Sequence, residues 1–374
     1  MIGSDPHSPD PRSPDPSSSR PPTALIRVWA RSHFTLAPAP SRRWPVALQA
    51  ALSMFLPVAL FTLLGQPAVG VMAASGAFTA IYLVGAAPLV RLRLLPVVGV
   101  AILLCAAIGA VLAPYPVAAA IGLVVVSLVT AALHYGFRLG PPGPVFFVLV
   151  YGLATHVTGI SGGRRIVDPL LFLGALAAGA LIAYVIAVAA FLIARARGVV
   201  APPPRTQIAR RPRLDRDARA LLLRVAVVAI AGTLLSMLLV DPQRAYWTVC
   251  AGIAVIGVNV GRRVAFIRGS QRFLGTVVGA GLFALLGSLP IPVLVLPFLL
   301  AGLQFTVEIF VVRNYALALV FITPLVLFII TSTTGVGGGL PWELILERIV
   351  DTLIGAVLGA ATGIFHPRAV PRRS

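Results

Sequence analysis

The sequence predicts an all-α membrane protein of about twelve transmembrane helices, arranged as two parallel six-helix repeats. Three observations lead there. The chain is 58% apolar and 11% charged, with a mean hydropathy of +0.97, whereas an ordinary globular domain carries about a quarter charged residues. Its apolar residues fall into runs mostly of about 17–25, the length a helix needs to cross a hydrocarbon core. The basic residues, all 30 of them arginine, gather in the breaks between those runs. The 35 glycines and 32 prolines agree, because membrane helices tolerate both where neighbouring helices satisfy the freed backbone groups.

Residues 1–45 read as a basic N-terminal tail. Within it, 1–23 are rich in Pro, Ser and Asp and hold no apolar stretch, so they cannot bury enough surface to fold. No apolar core near the start marks a signal peptide. Segment 24–45, with Arg27, Arg31, Arg42, Arg43 and Trp44, reads as an amphipathic approach to an interface anchor. The first six-span half is 46–194, with runs at 46–64, 67–87, 94–113, 117–134, 144–160 and 168–194. A Pro/Arg-rich linker, 195–219, separates it from a second half, 220–366. Runs there lie at 220–240, 245–261, 273–289, 291–311, 314–333 and 344–365, and a basic tail, 367–374, closes the chain.

An even number of spans puts both termini on one side. Under this register 26 arginines fall on the side of the tails and four (Arg164, Arg165, Arg244 and Arg348) on the other. Arginine enrichment marks the cytoplasmic side of an inner membrane. The net charge of +19 is therefore a topology signal with a secondary use toward anionic head groups. Nucleic acid is not an expected partner, because no basic domain with interleaved aromatics carries the charge.

Internal similarity supports two copies. Arg165-Ile166-Val167-Asp168 opens the sixth run and Arg348-Ile349-Val350-Asp351 the twelfth, 183 positions later. Pro116-Val117 is echoed by Pro292-Val293, and the Arg91/Arg93 loop by Arg268/Arg272. Six spans per copy make the repeat parallel, and the interface of the halves is where a pathway is expected.

Tyr246-Trp247 at a span start, Arg268…Arg272-Phe273-Leu274-Gly275-Thr276…Gly279, Asn314-Tyr315-Ala316-Leu317…Thr323-Pro324, and Arg348-Ile349-Val350-Asp351-Thr352-Leu353-Ile354-Gly355 together resemble the fusaric acid resistance and aromatic acid exporter family. Plant aluminium-activated malate channels are distant relatives of that family. The second half carries nearly all of these motifs; the first matches more weakly, through Gly70…Gly76-Ala77-Phe78 and Arg165-Ile166-Val167-Asp168. The resemblance implies an inner-membrane protein that exports small organic anions such as aromatic carboxylates. Many bacterial members have a substantial cytosolic domain after each membrane half, whereas this chain has only 195–219 and a short tail there.

Ionisable groups inside spans are costly and tend to mark pathways or partners. Glu308 reads as a proton-coupling or gating carboxylate, or as a structural ion pair with Arg313 or the Arg268–Arg272 loop. Asp168 and Asp351, each three residues after Arg165 and Arg348, read as a matched outer gate or as helix-start carboxylates complementing the dipole. For an anionic substrate, Arg268 and Arg272, four apart, are the leading contacts, with Arg91 and Arg93 from the first half; guanidinium forks suit carboxylates. Arg262 and Arg263 read as topology anchors. Asn314, with Asn259, Gln304, Thr323 and His156, lines a polar path or glues helices together. Gly275 and Gly279, and Gly355, Gly359 and Gly363, form small-residue ridges for close helix approach.

Neither glycine-rich phosphate loop is present, and the lysine-dependent one is excluded by the absence of lysine. No catalytic set, metal cluster or cofactor site is expected, and Cys105 and Cys250 sit in apolar runs as small core residues. Proton coupling or passive conduction would then drive transport. The expected partners are the lipid bilayer and a small organic anion; a homo-oligomer is compatible with the pattern. A non-transporting membrane scaffold for cell-envelope processes is the alternative.

Overall fold

The computed structural model describes residues 29–38, 43–199, 204–258, 261–334 and 341–365. The readings made on 1–23, on Asn259 and on 367–374 lie outside these. Among the described residues there are twelve α-helices of eight residues or more, one for each apolar run. They are α1 (Trp44–Leu63), α2 (Pro67–Ala74, continued by a 3₁₀ segment, Ser75–Ile81), α3 (Pro88–Leu112), α4 (Pro116–Phe137), α5 (Val145–Val157), α6 (Pro169–Ala196), α7 (Arg216–Leu239), α8 (Ala245–Ile256), α9 (Arg262–Gly287), α10 (Leu296–Phe310), α11 (Tyr315–Thr334) and α12 (Trp342–Ala361). A two-residue-per-strand hairpin, Ile160–Ser161 with Arg164–Arg165, is the described β-structure.

Eight of these helices are long and apolar enough to cross a membrane: α1, α3, α4, α6, α7, α9, α10 with its preceding 3₁₀ turn, and α11. The expected count of twelve full spans does not follow from helix length. At 1.5 Å per residue α8 is about 18 Å long and α5 about 20 Å, against about 30 Å of hydrocarbon. The α2 unit is likewise short. The twelfth helix is long but carries Glu343, Glu347, Arg348 and Asp351 in its first three turns. Its amphipathicity is inverted relative to a soluble helix: Arg348, Asp351 and Thr352 are buried, while Leu346, Val350, Leu353 and Val357 face outward. The outer surface elsewhere is a belt of large apolar side chains such as Leu104, Val125, Leu181, Leu234, Leu285 and Phe298. This surface suits lipid and not water. The protein is an all-α membrane protein.

Helix starts follow local chemistry. Proline occupies the first turn of α1, α2, α3, α4, α6 and α10, where its missing N–H is no loss. Asp168 caps α6 by accepting from the Leu170 and Leu171 N–H groups at 2.8 and 3.0 Å. Asp215 caps α7 through the Ala218 N–H at 2.8 Å.

Packing pairs recur six helices apart. Within the first half α1 packs on α2, α3 on α5 and α6, and α2 on α6; within the second, α7 packs on α8, α9 on α11 and α12, and α8 on α12. Between the halves α1 packs on α10 and α4 on α7, and α2 on α11 and α5 on α8. Residue by residue the offset is about 176. A Cβ on Gly179 would strike the Ala73 carbonyl and one on Gly355 the Thr248 carbonyl, so these glycines hold equivalent crossings 176 positions apart.

Two polar straps obey the same offset. Residues 29–38 cross to the second half: the Ala37 N–H donates to Arg313 O at 3.0 Å, Asn314 Nδ2 to His33 O at 2.7 Å, Gln271 Nε2 to Ser32 O at 2.6 Å and Trp29 Nε1 to Ser270 Oγ at 3.0 Å. Residues 204–215, read from sequence as a plain linker, cross back to the first half. There the Arg213 N–H donates to Gly136 O at 3.0 Å, Ala209 N–H to Phe137 O at 2.9 Å, and the Arg205 and Thr206 N–H groups to Gly85 O. Arg138 pairs with Asp215 at 2.7 Å.

Candidate functional site

The seam between the halves is built on the short helices α2 and α8. All twelve residues of α8 are buried, and the helix stops at Gly257, whose φ of +56° is a backbone region that side chains rarely adopt. A helix that stops inside a membrane protein leaves its last carbonyls without water. Here arginines supply the donors. Arg268 Nη2 donates to Ala254 O at 3.0 Å. In the first half Arg91 Nη2 and Nε donate to Ala80 O at 2.6 Å and Tyr82 O at 3.3 Å, at the end of the α2 unit, and Nη1 to Gln49 Oε1 at 3.1 Å. Tyr135 from α4 adds a bond to Gly257 O at 2.8 Å across the seam.

Two expectations about these arginines need correction. Arg268 and Arg272 are not in an inter-span loop: α9 begins at Arg262, so both lie on its first three turns. Likewise α3 begins at Pro88 and includes Arg91 and Arg93. Arginine is a good helix former, and membrane depth constrains only uncompensated charge. Arg91 and Arg268 therefore tie helix ends, whereas Arg93 is exposed. Arg272 is 6% exposed; its Nη1 donates to the Tyr315 hydroxyl at 2.9 Å, over whose ring Arg268 stacks at 4.7 Å.

The Arg165–Asp168 and Arg348–Asp351 pairs are not structural counterparts. Pro169 opens α6 and pushes the preceding residue to extended backbone, so Asp168 is a cap. Arg165 lies in the hairpin, bonded to Ala110 O and Thr158 O at 3.0 Å. By packing, Arg348 and Asp351 correspond instead to Phe172 and Ala175. Asp351 is fully buried and accepts from the Thr248 hydroxyl and, at 3.3 Å, from Ser236. Arg348 stacks over Trp247 with its guanidinium carbon 4.9 Å from the ring centroid. At the start of α8, Arg244 pairs with Glu347 and, at 3.6 Å, with Asp241.

Glu308, 5% exposed, meets neither Arg313 nor the Arg268–Arg272 turn. Its partner is Arg43 of α1 at 3.3 Å, with Gln304 Nε2 at 3.4 Å. Arg313 instead donates to Ala37 O in the first strap at 3.2 Å, and Asn314 spends its amide on the same strap. The residues missed by sequence reasoning are thus Arg43 and the fully buried Arg224, whose Nε reaches Thr362 Oγ1 at 3.2 Å. An arginine two turns inside an apolar helix was the available signal for Arg224.

The ridge glycines lie at close crossings. A Cβ on Gly275 would come to 2.5 Å from Ala316 O, one on Gly279 to 2.8 Å from Thr323, one on Gly359 to 2.7 Å from Gly252 O and one on Gly363 to 3.3 Å from Ala265. A cavity of about 120 Å³ opens at the seam near the start of α8, between Leu123 of α4, Tyr151 and Thr155 of α5, and Gln243 and Tyr246. Among the described residues no group of three or more His, Cys, Asp or Glu is placed to hold a metal ion.

Comparison with known proteins agrees with the motifs of the second half. Residues 218–362 match the model of a family described as fusaric acid resistance protein-like. An uncharacterized membrane protein of Bacillus subtilis (strain 168), YvaC, is 36% identical over 118 residues, which cover 31% of this chain and 18% of that protein. No solved structure matches.

Proposed function

We propose that this chain, whose second half carries a fusaric acid resistance protein-like domain, is a multi-pass transporter of small organic anions in the cytoplasmic membrane. Both termini face the cytoplasm, and the two halves act as parallel six-helix repeats. The supporting observation is the pair of short buried helices at the seam, α2 and α8, each ending inside the protein at an arginine. Broken helices at a repeat interface are where transporters place substrate, because their ends present oriented dipoles at membrane depth. Arginine there favours an anion, with Arg272 as the central contact. Glu308 serves coupling: protonation cancels its charge against Arg43 across the α1–α10 seam and loosens that closure.

The test is uptake of a panel of organic anions into reconstituted vesicles, with and without a pH gradient, for the wild type, Arg272→Ala and Glu308→Gln. Uptake that depends on Arg272, with a response to the gradient lost in Glu308→Gln, is expected. A second reading, a non-transporting membrane scaffold, draws on the closed seam at Glu308, where the Arg43 ion pair at 3.3 Å and the Gln304 amide at 3.4 Å occupy the carboxylate. It predicts no protein-dependent uptake of any panel member.

A further inference from the structure

Half-way along α8 the second half buries more positive charge than it neutralises. Arg272 enters from α9 and Arg348 from α12, helices that pack on each other through Gly269 against Ala356, and both side chains are nine-tenths or more buried. Among the described residues no carboxylate forms an ion pair with either. Asp351, the nearest candidate, spends one oxygen on Thr248 and Ser236. Nε and Nη1 of Arg348 and Nε of Arg272 have no hydrogen-bond partner, and neither has Asp351 Oδ2. Three guanidinium nitrogens, with four N–H groups between them, and one carboxylate oxygen are therefore buried unused. Buried donors of this kind cost free energy unless something accepts from them, and a charged donor costs most. Guanidinium N–H groups from two directions fit the two oxygens of a carboxylate. Tyr246, one residue before the Trp247 on which Arg348 stacks, also walls the seam cavity.

The first half has no such arrangement. Arg348 and Asp351 fall on Phe172 and Ala175 at an offset of 176, and Arg272 falls on Leu95 when Arg268 is matched to Arg91, which ties the corresponding helix end, an offset of 177; all three first-half residues are buried and apolar. We propose that Arg272 and Arg348 together bind the carboxylate of a single organic anion per chain, in the second half alone, with Trp247 beneath Arg348 as the floor of the site. This rests on the transport reading above only for the identity of the anion.

The experiment uses the full chain in detergent or nanodiscs, titrated with sodium benzoate at constant ionic strength, with sodium chloride as the inorganic arm. Calorimetry gives stoichiometry, and tryptophan fluorescence reports on Trp247, one of four tryptophans. Saturable binding of one benzoate per chain is expected, weakened about tenfold or more in Arg272→Gln and in Arg348→Gln, the loss of one charge-assisted bond. Leu95→Met, at the first-half counterpart, leaves binding unchanged. Trp247→Phe loses the fluorescence response; it reads the site with both arginines intact and so holds the proposal to account even if a glutamine variant fails to fold.

Unaltered affinity in both glutamine variants, two anions per chain, a response to chloride alone, no saturable response at all, or a fluorescence change that survives Trp247→Phe would each overturn it. Vesicle uptake separates the two claims. Binding without uptake sinks the transporter and leaves the site, whereas uptake undiminished in Arg348→Gln sinks the site and leaves the transporter.

Discussion

Where the first half buries Phe172, Ala175 and Leu95, the second buries Arg348, Asp351 and Arg272 on the same helix faces. Met72 and Ala73, beneath the first set, give way to Trp247 and Thr248 beneath the second. The crossings that hold these positions are shared: Gly179 on Ala73, Gly355 on Thr248. The two halves thus share this crossing and differ in the polarity of the residues packed around it. A buried charged cluster seldom adds stability over an apolar one of equal volume, so the polar core is best explained by what it does.

The largest expected effect tests the shared scaffold. Gly355→Leu and Gly179→Leu each drive a side chain into a facing backbone, at a cost of about 3 kcal/mol or more. Both variants should lose monodisperse folded protein in detergent, and an unchanged thermal midpoint in either would break the equivalence. Next, Asp351→Ala strands the Thr248 and Ser236 hydroxyls, for about 2 kcal/mol, while Asp351→Asn, which still accepts, costs less than half of that. Thermal unfolding that ranks the two equally would remove Asp351 from the polar core's bonding.

Arg272→Leu gives the second half the residue type that the first half has at Leu95. Stability should change by less than about 1 kcal/mol in either direction, because a buried charge is exchanged for apolar packing. Organic-anion uptake should fall about tenfold or more. A variant that unfolds, or one that transports normally, contradicts the assignment of that core to function over structure.

Smaller effects separate the straps. Gln271→Ala removes a bond to the first strap and should speed tryptic cleavage after Arg31 about fivefold, the population shift of roughly 1 kcal/mol. Cleavage after Arg210 and Arg213 in the second strap should keep its rate. The smallest effect is at Asp215, whose carboxyl is held below the usual carboxylate range first by the Ala218 N–H and then by Arg138. A depressed value means that the stabilisation is complete at neutral pH and disappears as the pH falls through it. The stability difference between the wild type and Asp215→Asn, under about 1 kcal/mol for an exposed group, should shrink as the pH falls below the usual carboxylate range.

The alternation of apolar runs and arginine-rich breaks carried the all-α membrane class and the place of every helix. Span length was less legible. A run such as 245–261 contains a helix that stops at Gly257, and only tertiary donors such as Arg268 and Tyr135 make that stop tolerable. The Arg-Ile-Val-Asp echo was misleading in register, 183 positions apart in sequence against about 176 in packing, because Pro169 starts α6 after the motif while α12 starts before it. Glu308 was identifiable as a costly residue inside a span, and Arg272 as an anion contact, though it was read in an inter-span loop. Their partners were not: Tyr315 and Arg43 lie 43 and 265 positions away, and pairing at that distance is decided by topology.

The two straps have a mechanical consequence. Residues 29–38 precede the first half and α1 opens it, yet they hold to α9, α10 and α11, and residues 204–215 and α7 hold to loops and helices of the first half. The chain is woven: each half begins by anchoring itself in the other. A rocking motion in this protein would therefore not divide the sequence at residues 195–219. If each first helix travels with the opposite half, the moving bodies are discontinuous in sequence and the Arg43–Glu308 pair lies within one of them; if α1 stays with its own half, the pair is the latch between two.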